Sequence, residues 1–506
     1  MKFDELSALL RRRGFLWPSA EIYGGAQGLY DYGPLGWALK RRVEDAWTGW
    51  FVGLSDDYYR IEPSELLPEA VVRASGHLEN FTDLEVTCSE CHSVFRADTV
   101  LEKVRPEGTD GLSPPEVAEL LERHKVRCPH CGKVALTVPN PFNLMFAVDF
   151  GATGKERAYL APETAQASYL AFARMRDVGR KALPLGIAVV GKAYRNEIAP
   201  RQALFRMRAF TQAELQVFFD PATFHPPLDA VAGDRLPVLR ASDRAGGATE
   251  STPVTVRELV DHGGLPDFYA FHLAVSFRFY REVLGYPERA LRLFEKSDKE
   301  RAFYNRIQFD IEADVESLGG FREVGAVHYR GDYDLGRHAS SSGKDLAVTT
   351  DDARRVLPHV LELTFGVDRN VWALADLHLA RDGDRTLWRL PPWLAPVPVA
   401  VFPLIKKEHA AKAHEVQRRL RTAGIAADFD DAGTIGKRYA RADESGTPFA
   451  LTVDGPTLAD GPDHDTVTLR ERDSKSQHRV ATAELAATLG PSLVPPTPHH
   501  LLGPAA

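Results

Sequence analysis

The 506-residue chain reads as a mixed α/β (α+β) protein of several domains. Three observations carry that reading. Residues 141–375 alternate strand-like and helix-like patterns. Within them, residues 186–219 hold two period-two runs joined by a polar loop, the pattern of a hairpin. After a proline-rich stretch, residues 399–490 repeat the alternation on a smaller scale. Their strand-like runs are VAVFPLI, AADFDD, FALTVD and DTVTLRER, around a helix predicted from about Lys407 to Thr422 and stopped by Gly424.

Composition sets the class. At 44% hydrophobic and 26% charged the chain is globular rather than disordered. A net charge of −8 gives no bulk attraction to nucleic acid, although a local basic patch needs no basic total. The opening MKFDELSALLRRRG is amphipathic and lacks the apolar core of a signal peptide, and no run is long enough to span a bilayer. A cytoplasmic enzyme is the expectation. Four cysteines are too few for a secreted disulfide scaffold of this length.

Taken in order, residues 1–85 open with a helix and a glycine-rich stretch, GGAQGLYDYGPLG. A long helix from about Gly36 to Phe51 and a strand ending near Pro68 follow. Residues 86–140 hold every cysteine. Between the cysteine pairs, SPPEVAELLERHK places Ser113 and Glu116 in capping-box spacing with prolines at the first helical positions. Residues 141–375 carry most of the unusual polar groups. Within them 221–265, rich in Pro, Gly and Asp, reads as an insertion with little regular structure. Residues 376–398, with PPWLAPVP, read as a linker. The tail 491–506 reads as disordered.

Cys88-x-x-Cys91 and Cys128-x-x-Cys131 are two knuckles that together offer four thiolates to one tetrahedral Zn²⁺. A closed four-thiolate site is structural, so no catalysis is assigned to it.

In AFTQAELQVFF one face carries Phe210, Gln212, Glu214, Gln216 and Phe218, and the other Thr211, Ala213, Leu215, Val217 and Phe219. The second face wants a core. The first is too polar for a core and too aromatic for plain solvent, as a strand lining a ligand site would be. The preceding strand, IAVVGKAYRNE, sets Arg195 and Glu197 two residues apart on one face. The loop between the strands adds Arg201, Arg206 and Arg208. Guanidinium forks suit phosphate oxygens.

The order Arg195-x-Glu197, loop, Arg206-x-x-x-Phe210-x-x-x-Glu214 resembles the second signature motif of the class II aminoacyl-tRNA synthetases. HVLELTFGVDRNVWALA, residues 359–375, resembles the third. Longer phrases spread over nearly the whole chain resemble the homodimeric glycyl-tRNA synthetases. They are EIYGGAQGLYDYGPLG, ASGHLENFTD, APETAQASYL, YRNEIAPR, FTQAEL, YRGDYDLGRH and GTIGKRYARADESGTPFALTVD.

That resemblance implies a class II antiparallel sheet core and a 399–490 anticodon-binding domain. It implies an enzyme that couples ATP, with Mg²⁺, to the loading of glycine onto tRNA(Gly), and a homodimer whose interface uses residues 36–68. It places Arg96, Glu163, Phe210, Thr211, Gln212, Ala213, Glu214, Glu362, Leu363, Thr364, Phe365 and Gly366 around glycine. It places Arg195, Asn196, Glu197, Phe205, Arg206, Met207, Arg208, Ala209, Phe210, Glu323, Val324, Gly366, Val367, Asp368 and Arg369 around ATP. Arg195 would clamp the α-phosphate and Arg369 the γ-phosphate, as the catalytic pair. Glu163, Glu214 and Glu362 suit the ammonium of a free amino acid, and a residue without a side chain must be selected by excluding larger ones. Lys406, Lys407, Lys437, Arg438 and Tyr439 suit RNA contact in the C-terminal domain.

The chain departs from the usual phrases at Ala161, Ala167, Ala209, Phe303 and Leu363-Thr364. Two alternatives stand beside this reading: a synthetase of the same subclass for another small amino acid, and a non-catalytic nucleic-acid-binding relative.

Overall fold

The computed structural model describes residues 3–105, 109, 112–152, 154, 156–179, 183–200 and 202–501. Arg201 of the polar loop and the tail beyond Leu501 lie outside the described residues.

The chain opens with α1 (Phe3–Arg12) and α2 (Pro34–Phe51), the latter starting on a proline at its first turn. Strand β1 (Tyr58–Ile61) follows. Strands β2 (Thr82–Thr87) and β3 (Val94–Arg96), helix α3 (Pro114–Arg123) and β4 (Asn140–Asn143) make the cysteine module. The expected Ser113–Glu116 capping box opens α3, with the Ser113 N–H donating to Glu116 Oε2 at 2.7 Å.

Next come α4 (Ala165–Gly179), β5 (Leu185–Tyr194) and β6 (Ala209–Phe219), then β7 (Arg235–Leu239), β8 (Thr252–Thr255) and α5 (Asp267–Arg278). Strands β9 (Leu291–Glu295), β10 (Ile307–Val315) and β11 (Gly320–Gly331), helix α6 (Tyr333–Ser342), β12 (His359–Gly366) and α7 (Val367–His378) complete the large domain.

Nine strands form one sheet in the order β8-β7-β9-β10-β11-β12-β6-β5-β1. Its neighbours are antiparallel except for β5 with β1 and β7 with β9. The alternation read from β6 holds. Ala213, Leu215, Val217 and Phe219 enter the main hydrophobic core with Leu361, Leu363 and Phe365 of β12. Helix α5, buried from Phe268 to Phe277, packs into the same core, as does α7. The helices on that face leave the other face of the central strands to polar side chains.

Three expectations need correction. Residues 221–265 are not irregular: β7, β8 and two short helices lie there, and β7 and β8 extend the sheet. Pro237 and Pro253 pair across from each other beside an edge strand, where missing N–H groups cost little. The 376–398 stretch is folded rather than a free linker. It makes the hairpin β13 (Leu379–Asp382)–β14 (Arg385–Trp388) and buries Trp388, Leu390 and Leu394. The described part of the tail is also ordered: Leu501 is buried, and His500 lies against Trp50 of α2 and within 3.3 Å of Arg278.

The C-terminal domain is a five-stranded mixed sheet. Its elements are β15 (Val399–Pro403), α8 (Lys406–Thr422), β16 (Ala427–Phe429), α9 (Ile435–Glu444), β17 (Phe449–Val453), β18 (Thr466–Glu471) and β19 (Gln477–Ala481), ordered β16-β15-β17-β18-β19. Among the described residues, no helix is long and apolar enough to cross a membrane.

A Leu501→Ser substitution should remove about 2 kcal/mol of local burial. It should make the 490–501 segment markedly more sensitive to limited proteolysis while the core melts unchanged.

Candidate active site

The open face of the sheet carries two adjoining sites. The first is a buried charge centre. Register places Glu214 on β6 opposite Thr364 on β12, and Gln216 opposite Glu362, all projecting from the polar face. His328 on β11 lies opposite Glu362. Glu163 reaches the same place from the turn before α4.

A single guanidinium, Arg330, organises the centre. It is 1% exposed and bonds Asp334 at 2.7 and 2.9 Å and Glu362 at 2.8 Å, with Glu163 at 3.6 Å. Its plane lies over the Tyr304 ring at 3.8 Å. Glu362 also accepts from Gln216 at 2.8 Å and from Thr364 at 2.9 Å. Glu163 accepts from Gln166 at 2.9 Å and stands 3.5 Å from His77 Nε2.

The carboxylates are not equivalent. Burial opposes ionisation of Glu163, but His77 and Arg330 outweigh it and hold the carboxyl well below its ordinary range. For Glu214, burial and then the nearby Glu362 and Glu163 push the carboxyl well above that range. One Glu214 oxygen is buried without a hydrogen-bond partner. An acidic centre whose carboxylates raise one of their own number this way is a centre short of a cation.

The second site is a cavity of about 370 Å³ beside the first, lined by Arg195, Arg206 and Arg369 together with Phe205, Met207, Phe210, Gln212, Glu323, Thr364 and Gly366. The Arg195 guanidinium lies between two rings, 5.2 Å from Phe81 and 5.2 Å from Phe210, while its Nε donates to the Pro162 carbonyl at 3.2 Å. Arg369 enters from the opposite wall, paired with Glu323 at 3.0 Å. A Cβ at Gly366 would stand 3.1 Å from the Arg369 side chain, so glycine there keeps the arginine's path clear.

The expected residues separate into groups. Glu163, Glu214, Glu362 and Thr364 cluster at the centre. Phe210, Thr211, Gln212 and Gly366 line the cavity beside it. Ala213, Leu363, Phe365 and Val324 belong to the hydrophobic core, because period two sends them through the sheet, and Val367, the first residue of α7, joins the same core. They contribute backbone only. Arg96 lines the cavity but pairs with Asp83, with Asp98 at 2.9 Å and with Glu197 at 3.4 Å, away from the central carboxylates.

The strand expected to carry Arg195 and Glu197 ends at Tyr194, so both leave the ladder, and Glu197 is buried against Arg96. Asn196 is held by its N–H to Leu144. Arg208 donates to the Gln27 and Glu197 carbonyls at 3.1 and 3.0 Å, bracing the glycine-rich segment. Ala209 begins β6 and is absent from the cavity wall. Asp368 is buried, accepting from Tyr32 at 2.5 Å and from the Thr211 N–H.

Sequence reasoning placed Gln216 on the ligand-facing side of β6 but missed Arg330, Asp334, His77 and Tyr304. Arg330 and Asp334 sit at i and i+4 in YRGDYDLGRH, a spacing that pairs opposite charges where a helix begins. Tyr304 had no signal of its own.

The four cysteine sulfurs lie within 4.8 Å of one another, with Cys88–Cys131 and Cys91–Cys128 at 3.6 Å. Four convergent thiols fit a tetrahedral Zn²⁺. Elemental analysis of the native protein should find one zinc per chain, lost in a Cys128→Ser variant. Zinc-free native protein would remove the assignment.

Comparison with known proteins agrees with this geometry. Residues 398–490 match the family model of the anticodon binding domain. The chain resembles prolyl-tRNA synthetase of Cryptosporidium parvum solved with L-proline and AMP, at a TM-score of 0.57 and 14% identity over 96% of this chain and 74% of that one. That likeness shows a class II synthetase fold. The glycine–tRNA ligase of Methanothermobacter thermautotrophicus is 38% identical over 96% of this chain and 98% of its own length. Those of Thermococcus gammatolerans and Pyrococcus furiosus are 36% and 35% identical at similar coverage. With relatives this similar matched from end to end, an acidic centre short of a cation and an arginine-lined cavity on one antiparallel sheet, the chain belongs to the glycine–tRNA ligase family.

Proposed function

We propose that the charge centre holds the ammonium of glycine while the arginine-lined cavity holds ATP, and that the chain joins the two before passing glycine to tRNA. The observation that carries this reading is Glu214 beside Glu163 and Glu362, with one oxygen buried and unbonded and its carboxyl pushed well above the ordinary range by burial and those two neighbours. An ammonium among the three would relieve that repulsion.

In the first step a glycine carboxylate oxygen attacks the α-phosphorus and pyrophosphate leaves. In the second a terminal ribose hydroxyl of tRNA attacks the adenylate carbonyl and AMP leaves. No enzyme nucleophile is required: positioning and charge neutralisation do the catalysis. Arg195 is assigned to the α-phosphate and Arg369 to the γ-phosphate, with Phe210 under the adenine. Mg²⁺ bound with the triphosphate would offset its charge, and Glu323 is the wall carboxylate placed to share it.

Thr364 opposite Glu214 narrows the floor against larger amino acids. Zn²⁺ on the four cysteines holds the 86–140 module. The exposed Ile22, Tyr23 and Trp37, at 90%, 87% and 64%, support a homodimer through the surface around α2. That neighbourhood includes the expected interface at 36–68.

The direct test is glycine-dependent ATP–pyrophosphate exchange, with other small amino acids as competitors. Absence of exchange with any amino acid would sink the reading, and exchange with proline or threonine instead would move it to the sibling enzymes. An Arg195→Ala variant should lose exchange by about 10²-fold or more while tRNA binding, measured by filter retention, stays near wild type.

Glutamate 214 adds a pH dependence. Its carboxyl is raised well above the ordinary range by burial and by Glu362 and Glu163, and it must be ionised to pair with an ammonium. The KM for glycine should therefore fall as pH rises toward the raised value, by up to about tenfold per unit for one proton, and level above it. A Glu214→Gln variant should show a flat profile. A wild-type KM independent of pH would contradict the assigned role.

A further inference from the structure

None of the expected site residues lies in the phrase ASGHLENFTD, residues 74–83, yet the fold threads that phrase between the charge centre and the arginine-lined cavity. Gly76 turns the chain at a φ of +84°, a left-handed angle that favours glycine. A single helical turn, His77–Asn80, follows. Asn143 Nδ2 pins that turn by donating to the Leu78 carbonyl at 2.9 Å and the His77 carbonyl at 3.4 Å. His77 itself is 1% exposed.

Both ring nitrogens of His77 have partners. Nδ1 lies 2.7 Å from the Ser75 hydroxyl, which also stands 3.0 Å from the Val72 carbonyl. Nε2 faces Glu163 Oε2 at 3.5 Å. The Ser75 hydroxyl has one hydrogen to give. If Val72 takes it, Nδ1 donates to Ser75 and the ring meets Glu163 with a second proton on Nε2. If Nδ1 takes it, the ring's single proton lies on Nε2. In both arrangements a donor points at the carboxylate, because a bare Nε2 lone pair would repel it. The other oxygen of Glu163 is held from the far side: Oε1 accepts from Gln166 at 2.9 Å, and Gln166 in turn bonds His338 at 2.9 Å.

The imidazole also stands between two rings that each cover an arginine. Tyr304, with its centroid 6.5 Å away, lies over Arg330 at 3.8 Å. Phe81, 5.4 Å away, lies against Arg195 at 5.2 Å. Arg330 organises the charge centre, and Arg195 lines the cavity. One buried side chain therefore meets the carboxylate assigned to the ammonium and the ring behind the guanidinium assigned to the α-phosphate.

We infer that His77 is a positioning residue for the first step: its Nε2 orients Glu163 toward the glycine ammonium, and its ring, wedged between Tyr304 and Phe81, sets the spacing between the glycine centre and Arg195. The inference rests on the ligase reading above. Glycine makes the demand acute, since it offers only its two charged ends to hold, and in-line attack on phosphorus tolerates little misplacement.

Three substitutions at position 77 of the full-length enzyme separate the two roles in ATP–pyrophosphate exchange, with melting as the check on folding. His77→Leu keeps the wedge but has no donor. Its KM for glycine should rise roughly tenfold or more, with the KM for ATP and the kcat within about twofold of wild type. His77→Gln brings a donor back near Nε2 and should recover most of the glycine affinity. His77→Ala removes donor and wedge together and should lose a further tenfold or so in kcat. Equal glycine KM values for the Leu and Gln variants would overturn the donor role, and equal kcat values for Leu and Ala would overturn the wedge. A KM for ATP that rises in step with that for glycine in His77→Leu would mean general loosening and overturn both. Where His77→Leu fails to fold, Ser75→Ala decides: it leaves the ring in place but loosens it, and an unchanged glycine KM there overturns the donor role. Wild-type enzyme without exchange would refute the ligase reading, whereas exchange in wild type with an unchanged glycine KM in His77→Leu refutes only the role of His77.

Discussion

The buried guanidinium of Arg330 is the constraint around which the catalytic face is arranged. A charge nearly fully buried is tolerable only with anionic partners and satisfied donors. Arg330 has both, in Asp334, Glu362 and Glu163, with Tyr304 closing its face. Those partners come from the first turn of α6, from β12 and from the turn before α4, so the ion pairs tie three segments to the end of β11. They also set the charge budget. One guanidinium is divided among several carboxylates, which leaves Glu214 raised well above the ordinary carboxyl range by burial and its acidic neighbours, and the centre suited to a further cation.

The nucleotide side follows the opposite logic. Arg195 is held by two ring faces and a backbone carbonyl, and Arg369 by backbone carbonyls and a single carboxylate, Glu323. Guanidinium groups held that way keep their donors available for phosphate oxygens. An acidic centre with a spare carboxyl and a cavity with available arginines, side by side on one sheet face, are what an amino acid and a triphosphate require at their junction.

What the sequence revealed, and what it hid, divides by range. The alternation in AFTQAELQVFF foretold which side of β6 meets the core, because strand period is a local property. The cysteine spacing and the Ser113–Glu116 cap were legible for the same reason. Arg330 was not, since its importance lies in neighbours from positions 163, 334 and 362. The prolines of 221–265 misled because they mark breaks only in central strands, and here they flank an edge. Leu501 and the 376–398 stretch misled because composition cannot show what surface a segment packs upon. Taking whole phrases as ligand contacts overreached for a simpler reason: consecutive side chains of a strand point to opposite faces.

The same division explains the two ends of α9. Asp443 and Glu444 are ordinary helix-terminal acids in the sequence, and only the fold shows them gripping Arg385, Arg470, Arg12 and Arg13. Arg438 looked like an RNA contact because arginine beside aromatic usually is one, yet a buried guanidinium that satisfies three carbonyls has no donor face to offer a phosphate. Removing it from the RNA set does not weaken the domain's case for RNA. The exposed Lys407 and Lys437 remain as cations on the surface of the domain. Helix α9 itself serves the fold: its last turn holds Arg12, Arg13 and Arg385, which lie outside the C-terminal domain, so its acids join the segments while its arginine closes the turn before it.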